Sequence, residues 1–248
     1  MANNVQTKKE TNVVEFDDSI LLEDAGAGQE NMSQEDMMIP RLSILQDGSA
    51  QVKKRDGAYV EGAEVGMILD NVAKVALDGE KGIEVIPISY RRAHIEWKKD
   101  RGGLVADHGS DSSCLESCSR GDKGEYFVFM INKDGSHTPA VLSMSKSQLK
   151  KARQWNTMMN RLQIVANGQQ INPAMFWTSY QLTTIPEQND QGAWFGWSIK
   201  MNHDADSGGI IKKLKNGKEI YLAARNFKAQ VAQGEVKVSP ESQDDDVM

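Results

Sequence analysis

Residues 83–97 read IEVIPISYRRAHIEW, and this stretch decides the fold class. Its β-branched residues and its partial alternation of apolar and polar positions are typical of a β-strand. Proline has no backbone N–H to donate to a sheet, so Pro87 is expected at a bulge or at a sheet edge. The stretch therefore predicts one long strand or a bent pair of strands.

Further strands are indicated on both sides of this stretch. The apolar run YFVFMI at 126–131 predicts a buried strand, and Asn132–Gly135 predicts a turn into another strand near 140–144. Pro40 disfavours helix just before it, so an extended entry strand is expected near the start of the folded part. Two later strands, joined by a hairpin connection, are predicted at about 175–184 and 193–201.

Two helices are predicted from capping and periodicity. Residues 145–148, Ser-Lys-Ser-Gln, have the spacing of a capping box, in which the Ser and Gln side chains satisfy each other's backbone donors. The helix is expected to run to about Ala166 and to end at Asn167-Gly168. A second, short helix is predicted around 220–231, ending at Gly234.

Five or more mostly antiparallel strands with one clear helix between them predict a mainly β fold. The most economical architecture is an OB-fold-like small antiparallel barrel elaborated by long loops, one of them the polar, Gly-rich stretch 98–123. A β-sandwich would give almost the same pattern. We expect three parts: an acidic flexible N-terminal arm at 1–36, an OB-like domain at 37–234 and an acidic C-terminal tail at 235–248.

The charge distribution supports that division. The formal net charge of the 248 residues is -6, but residues 1–36 contribute -7 and residues 235–248 contribute -4, which leaves +5 for the body. A basic body attracts polyanions, whereas charged ends can also serve only to keep a domain soluble. Two cysteines and the lack of an apolar run near the roughly 20 residues that span a bilayer predict a cytoplasmic protein.

Enzyme and metal motifs are mostly absent from the sequence. Cys114 and Cys118, with His108, offer zinc ligands, but a structural zinc site needs a closed set of four. Glu96-Trp97-Lys98, with Asp78 or Glu84 upstream, imitates the spacing of some magnesium-dependent nucleases, although so short a pattern often arises by chance. We therefore expect no catalytic residue, no metal and no cofactor.

The stronger pattern combines aromatic rings with positive charge. Single-stranded nucleic acid is bound by rings that stack on bases and by cations that follow the phosphates. The alternative interpretation is that the tryptophans are core residues and the cations a solvated face, and for one of Trp194 and Trp197 the core is the better expectation. The candidate binding residues are Tyr90, Arg91, Arg92, Trp97, Lys98, Lys99, Lys150, Lys151, Arg153, Trp194, Trp197 and Lys200.

Residues 241–248, ESQDDDVM, are an acidic run followed by two apolar residues. This segment resembles the tail of the acid-tailed single-stranded DNA-binding proteins of bacteria and their phages, except that Met248 stands where an aromatic residue is typical. The body, roughly 37–201, is similar in character to the phage members of that class. The resemblance implies that the tail binds replication or recombination partners through Asp244, Asp245, Asp246, Val247 and Met248.

The sequence therefore predicts a non-enzymatic, sequence-independent single-stranded DNA-binding protein of phage origin. It would protect single strands and recruit partners in replication, recombination or repair, in the cytoplasm of a bacterial host. A virion-associated structural protein is the first alternative, because acidic arms and a loop-rich β-domain would serve it equally well. A metal-dependent nuclease using Asp78, Glu84, Glu96 and Lys98 is the second.

Overall fold

The computed structural model describes residues 19, 23–32, 36–97, 104–111, 119–190, 192–202, 208–236 and 238. The strands are β1 Arg41–Ile44, β2 Ile68–Asp70, β3 Val75–Leu77, β4 Ile83–Trp97, β5 Leu104–Asp107, β6 Ser119–Ile131, β7 His137–Ser145, β8 Ile164–Ala166, β9 Gln169–Ile171, β10 Tyr180–Asn189 and β11 Gly192–Met201. The helices are α1 Leu149–Arg161, α2 Gly209–Lys213 and α3 Gly217–Gln233. Short 3-10 turns lie at Ala50–Val52, Lys146–Gln148 and Met175–Trp177.

Nine of the strands form one curled sheet, which confirms the predicted mainly β fold. Its order is β11-β10-β4-β6-β7-β1-β2-β3, with β5 paired to the far part of β4. All of its pairings are antiparallel except that of β1 with β7. The sheet curls into a half-barrel, and β8 and β9 form a separate hairpin outside it.

The long ribbon of β4 and β6 forms the centre of this sheet. Its register runs from Glu84 opposite Ile131 to Trp97 opposite Ser119, and it slips once between Pro87 and Ser89. The bulge predicted at Pro87 is therefore confirmed. Side chains of the ribbon point alternately to the concave and convex faces, and both faces are covered, which explains the nearly continuous apolar run at 126–131.

The concave face is filled by α1. Trp155, on the buried side of this helix, is fully buried and lies 4.4 Å from the ring of Tyr126, centroid to centroid. The Tyr126 hydroxyl lies 2.9 Å from the carbonyl oxygen of Ala152 and 2.9 Å from Oδ1 of Asn156. The burial of an aromatic side chain contributes about 1.5–3 kcal/mol, so this contact fixes the helix against the sheet.

The convex face packs against α3. Phe127 and Phe129 point from β6 toward this helix, and the ring of Phe129 lies 5.3 Å from that of Phe227. The helix ends at Gly234, whose φ of 75° is left-handed and whose N–H bonds back to the carbonyl of Val231. The predicted end of the second helix is confirmed, because glycine adopts this conformation without strain.

Gln46, in the loop after β1, bonds to the edge strand β11 at a place that no strand pairing joins. We call this contact the seam of the sheet. The Gln46 amide acts like a backbone peptide: Nε2 donates to the carbonyl of Phe195 at 2.8 Å, and Oε1 accepts from the Phe195 N–H at 2.9 Å. Nearby, the Thr184 hydroxyl donates to the carbonyl of Gly66 at 2.6 Å, and the Thr184 N–H donates to the carbonyl of Gly79. The loops after β1 and before β4 are thereby held to the β10–β11 hairpin.

The first predicted helix differs from the observed one at both ends. Neither Ser145 nor Gln148 makes a side-chain cap hydrogen bond, so the predicted capping box is wrong. Helix α1 ends at Arg161 rather than near Ala166. Asn167 and Gly168 instead form the two-residue turn between β8 and β9, with φ of 49° and 77°. Positive φ at both positions is typical of the type I′ hairpin turn that Asn-Gly favours.

The stretch predicted as a loop at 98–123 is partly strand. Residues 104–107 form β5, and the polar segment 119–123 belongs to β6, because β4 supplies an extended partner for both. The rest of the stretch, apart from 108–111, lies outside the described residues. The expected strand at 175–184 begins only at Tyr180, after the 3-10 turn, and continues to Asn189.

The two acidic ends fall mainly outside the residues that the structure describes. Residues 23–32 are described and exposed. At the other end, Val238 bridges Ile39, and Val236 and Val238 pack against the convex apolar cluster. Packing of the body therefore extends beyond Gly234, whereas the acidic residues 241–248 lie outside the described part.

We predict that Gln46→Ala lowers the free energy of unfolding by about 1–2 kcal/mol, because two hydrogen bonds at the seam are lost at about 1 kcal/mol each. Denaturant unfolding would measure the change. Gln154→Ala, on the exposed side of α1, is the matched control and should change stability by less than about 0.5 kcal/mol. Equal effects of the two substitutions would contradict a role for Gln46 in closing the sheet.

Candidate nucleic-acid interface

Glu187 on β10 gathers three side chains where the start of α1 meets the β10–β11 hairpin. Its Oε2 accepts hydrogen bonds from Nε1 of Trp194 and Nε2 of Gln148, both at 3.0 Å. Its Oε1 lies 2.9 Å from Nζ of Lys151. Gln148 also accepts the backbone N–H of Trp197 at 2.9 Å. We call Glu187, Gln148, Lys151 and Trp194 the Glu187 cluster.

The Glu187 carboxylate remains ionised within this cluster. Partial burial raises its pKa, but the hydrogen bonds from Lys151 and Gln148 and the charge of Lys151 outweigh burial and hold the pKa below its usual value. The ionised group fixes one edge of the Trp194 indole. Because Trp194 is only half-buried, part of its surface remains open to solvent beside a lysine.

Helix α1 adds a basic surface to the Glu187 cluster. Between Asp134 and Glu187 the sequence has five basic residues and no acidic one. Four of the five, Lys146, Lys150, Arg153 and Arg161, are exposed, and they lie on α1 or in the turn before it. Basic residues in the first turn oppose the helix dipole, at a cost of some tenths of a kcal/mol each. Arg161, in the last turn, complements the dipole, but the placement of Lys150 in the first turn does not serve helix stability and favours the binding of an anion.

Tyr90 brings the β4–β6 ribbon close to the same helix. Its ring lies 4.9 Å from that of Tyr126. A Cβ added to Gly124 would lie 2.9 Å from the Tyr90 ring and 3.4 Å from the Cβ of Ala152, so the ring and α1 meet over this glycine. Tyr90 is half-buried, which leaves it only a partial face for stacking.

The two arginines that follow Tyr90 are held by carboxylates. Arg91 bonds to Glu125 through Nε at 2.5 Å and to Asp107 through Nη2 at 2.7 Å. Arg92 lies 3.1 Å from Asp122, which also binds Nδ1 of His94 at 2.8 Å. Both arginines are exposed, but part of their charge is already neutralised within the protein.

Glu125 is the most strongly perturbed of these acids. Its side chain is 1% exposed and lies 2.8 Å from Nη1 of Arg41 and 3.5 Å from Nζ of Lys123, itself buried. Burial alone would raise its pKa, but the charges of Lys123, Arg41 and Arg91 outweigh burial and lower it to about 2. Glu125 therefore stays ionised and compensates three cations that the fold places around it.

The other predicted binding residues are divided among separate places. Trp197 is 2% exposed and belongs to the concave core, so Trp194 is the ring of this pair that stays accessible. Lys200 is exposed but pairs with Gln181 near the opposite end of β11 from Trp194. The side chain of Trp97, Lys98, Lys99 and the partner-binding residues Asp244–Met248 lie outside the described residues.

Two carboxylates of the nuclease hypothesis, Glu84 and Glu96, do not come together in the described structure, and Lys98 lies outside it. Glu84 and Glu96 lie near opposite ends of the 15-residue strand β4, about 40 Å apart along the strand at about 3.3 Å per residue. Glu84 accepts a hydrogen bond from Ser179, and Glu96 lies 2.6 Å from Nε2 of His108. Asp78 pairs with Lys81.

Among the described residues, no group of three or more His, Cys, Asp or Glu side chains is placed to hold a metal ion. Cys114 and Cys118, the predicted zinc ligands, lie outside this part of the chain. Over the same residues, no helix has both the length and the apolar character needed to cross a membrane.

Residues 8–237 match the family described as Pam3 phage gp34-like protein. The chain belongs to the Pam3 phage gp34-like family. The phage origin predicted from the sequence is thereby supported. Searches of curated proteins and of solved structures gave no match. The family name states no activity.

Sequence reasoning missed Glu187, Gln148 and Gln46. An acid in a site for a polyanion is not expected from composition, and the two glutamines act through contacts distant in sequence. The one available signal was the acid-free stretch between Asp134 and Glu187, because it concentrates basic residues on one helix.

We predict that Glu125 contributes a pH-dependent part of the stability. Its pKa is about 2 in the fold and 4.5 ordinarily, so its ionised form stabilises the protein fully above about pH 4.5. This contribution, up to about 3 kcal/mol, is lost as the pH falls from about 4.5 toward 2. Urea unfolding of the wild type and of Glu125→Gln from pH 3 to 7 would measure it.

The variant should be several kcal/mol less stable at pH 7, because Lys123 and Arg41 lose their carboxylate, and the difference should narrow below pH 4.5. Glu61→Gln, at an exposed position, should show no such narrowing. A difference between wild type and Glu125→Gln that is independent of pH would contradict this assignment.

Proposed function

We propose that this phage protein binds single-stranded DNA without sequence preference and acts in phage DNA replication, recombination or repair. One observation carries the proposal: the accessible indole of Trp194 lies beside the acid-free start of α1. Base stacking on such a ring is worth about 1–3 kcal/mol, and neighbouring cations follow the phosphates. A duplex keeps its bases stacked inside, so a ring beside a cationic helix favours a single strand.

The Glu187 cluster gives each group a distinct role in binding. Trp194 stacks on a base, because its Nε1–H is tied to Glu187 and its ring is thereby oriented before DNA arrives. Lys150 and Arg153 contact phosphates from the exposed side of α1. The charge of Lys151 is divided between Glu187 and the phosphates of the DNA strand, so its contribution to affinity is smaller than that of its exposed neighbours.

The β4–β6 ribbon extends the binding surface. Tyr90 offers a partial stacking face next to α1. Arg92 lies two positions from Tyr90 on the same face of β4; it is oriented by Asp122 and has further N–H groups for phosphate oxygens. Arg91 alternates to the opposite face, where Glu125 and Asp107 hold it. Residues 241–248 supply the second activity that we propose, the recruitment of replication or recombination proteins through an acidic segment with an apolar end.

Fluorescence titration with oligo-dT at two salt concentrations tests the proposal. Quenching of tryptophan, with an affinity that falls steeply as salt rises, is the expected result. The lack of any binding would overturn it and favour the virion-associated structural protein. Cleavage of the strand only when Mg²⁺ is added would favour the nuclease.

We predict that Trp194→Ala weakens oligo-dT binding by about 1–3 kcal/mol, since a stacking platform is lost. Trp194→Phe should recover part of that affinity, because it retains an aromatic face without the Nε1–H bond to Glu187. Filter binding would measure the affinities, and thermal unfolding would show that both variants remain folded. An unchanged affinity for Trp194→Ala would remove this ring from the interface.

A double substitution tests the phosphate contacts of α1. Lys150→Ala with Arg153→Ala should lower the slope of log affinity against log salt by about 1.4, at ~0.7 per contact on single strands. Lys133→Ala is the control, because Lys133 is exposed in the turn at the opposite end of β7 from α1. A slope that changes equally in both proteins would mean that binding depends on net charge and not on α1.

A further inference from the structure

An apolar groove lies where the β8–β9 hairpin faces α2 and the start of α3. Its volume is about 610 Å³, and it is lined mainly by Ile164, Ile171, Trp177, Ile211 and Tyr221, with Lys212 also in its wall. Ile171 and Ile211 are 41% and 38% exposed, and the neighbouring Val165 is 71% exposed. Large apolar side chains grouped in this way mark a binding surface more often than isolated ones do.

A basic stripe leads to this groove along α3. Lys218, Arg225 and Lys228 are all exposed, and at 100° per residue they lie within one side of the helix. Leu222 lies on the same side and is 40% exposed. Lys212 and Lys213 end α2 next to the groove. Followed from the C-terminal end of α3 toward its start, this surface is therefore first basic and then apolar.

We propose that the groove and the basic stripe bind residues 241–248 of the same chain, ESQDDDVM. The segment is first acidic and then apolar, and the surface from the end of α3 to the groove is first basic and then apolar. Glu241 and Asp244–Asp246 would lie along the lysines and arginine of α3, and Val247 and Met248 would then enter the apolar groove. Exposed ion pairs contribute little individually, so the apolar end supplies the anchor and the charges set the direction.

The distances allow this contact within one molecule. Val238 lies against Ile39 after the end of α3, and nine further residues, at up to about 3.5 Å each, reach about 30 Å to Val247. From the last turn of α3 back to Tyr221 the helix rises by only about 18 Å, at 1.5 Å per residue. Docking would cover the segment that we propose for partner recruitment, so a partner must compete with the groove for it.

Photo-crosslinking of the full chain, without DNA, tests the contact independently of nucleic-acid binding. With p-benzoyl-L-phenylalanine incorporated in place of Val247, mass spectrometry should map crosslinks to the groove residues, within single molecules. The double variant Ile211→Ser with Lys212→Glu should lower the crosslink yield by at least about two- to fivefold, because the loss of one exposed ion pair alone would have an effect of this size. Lys133→Glu should leave the yield unchanged.

Three results would overturn the proposal: crosslinks to the Glu187 cluster, crosslinks only between two molecules, or a yield that the groove variant does not alter. Hydrogen exchange avoids the bulky probe. Val247→Ser with Met248→Ser should speed amide exchange in β8, β9 and α2 and leave β6 unchanged. Identical amide exchange in the wild type and in this double variant would also overturn the proposal.

Discussion

The antiparallel pairing of β4 with β6 is the constraint on which the rest of the structure depends. The ribbon is covered on both faces, by α1 on the concave side and by α3 on the convex side. A shift of its register by one residue would exchange the two sets of side chains. Tyr126 would then point toward α3, and Phe127 toward α1. The single slip at Pro87 keeps each set on its own side along the whole ribbon.

The position of the candidate interface follows from that ribbon. Tyr126 and Trp155 fix α1 in the concavity, and the start of the helix therefore lies against the β10–β11 hairpin, where Gln148 bonds to Trp197 and Glu187. The buried face of α1 stabilises it by several kcal/mol. The unfavourable basic residues in its first turn cost only some tenths of a kcal/mol each, so the exposed face is free to carry charge for binding.

The structure separates two kinds of cation that composition treats alike. Arg41, Arg91 and Lys123 surround the ionised Glu125 and hold β1, β4 and β6 together. The exposed cations Lys150 and Arg153 of α1 belong to a stretch without acidic residues. Membership of the Pam3 phage gp34-like family supports a phage origin, whereas the proposal of DNA binding rests on this second group and on Trp194.

Local patterns in the sequence determined the strand at 83–97 with its bulge, the strand and turn at 126–135, and the end of α3 at Gly234, because each depends on backbone chemistry near the residue concerned. The tertiary structure decided what local patterns leave open. Gln148 bonds to distant partners instead of capping α1, and residues 119–123 become strand because β4 lies beside them. Trp194 and Trp197 are three positions apart and so face opposite sides of a strand. The sequence therefore determined that only one of them enters the core, and the curl of the sheet decided that it is Trp197.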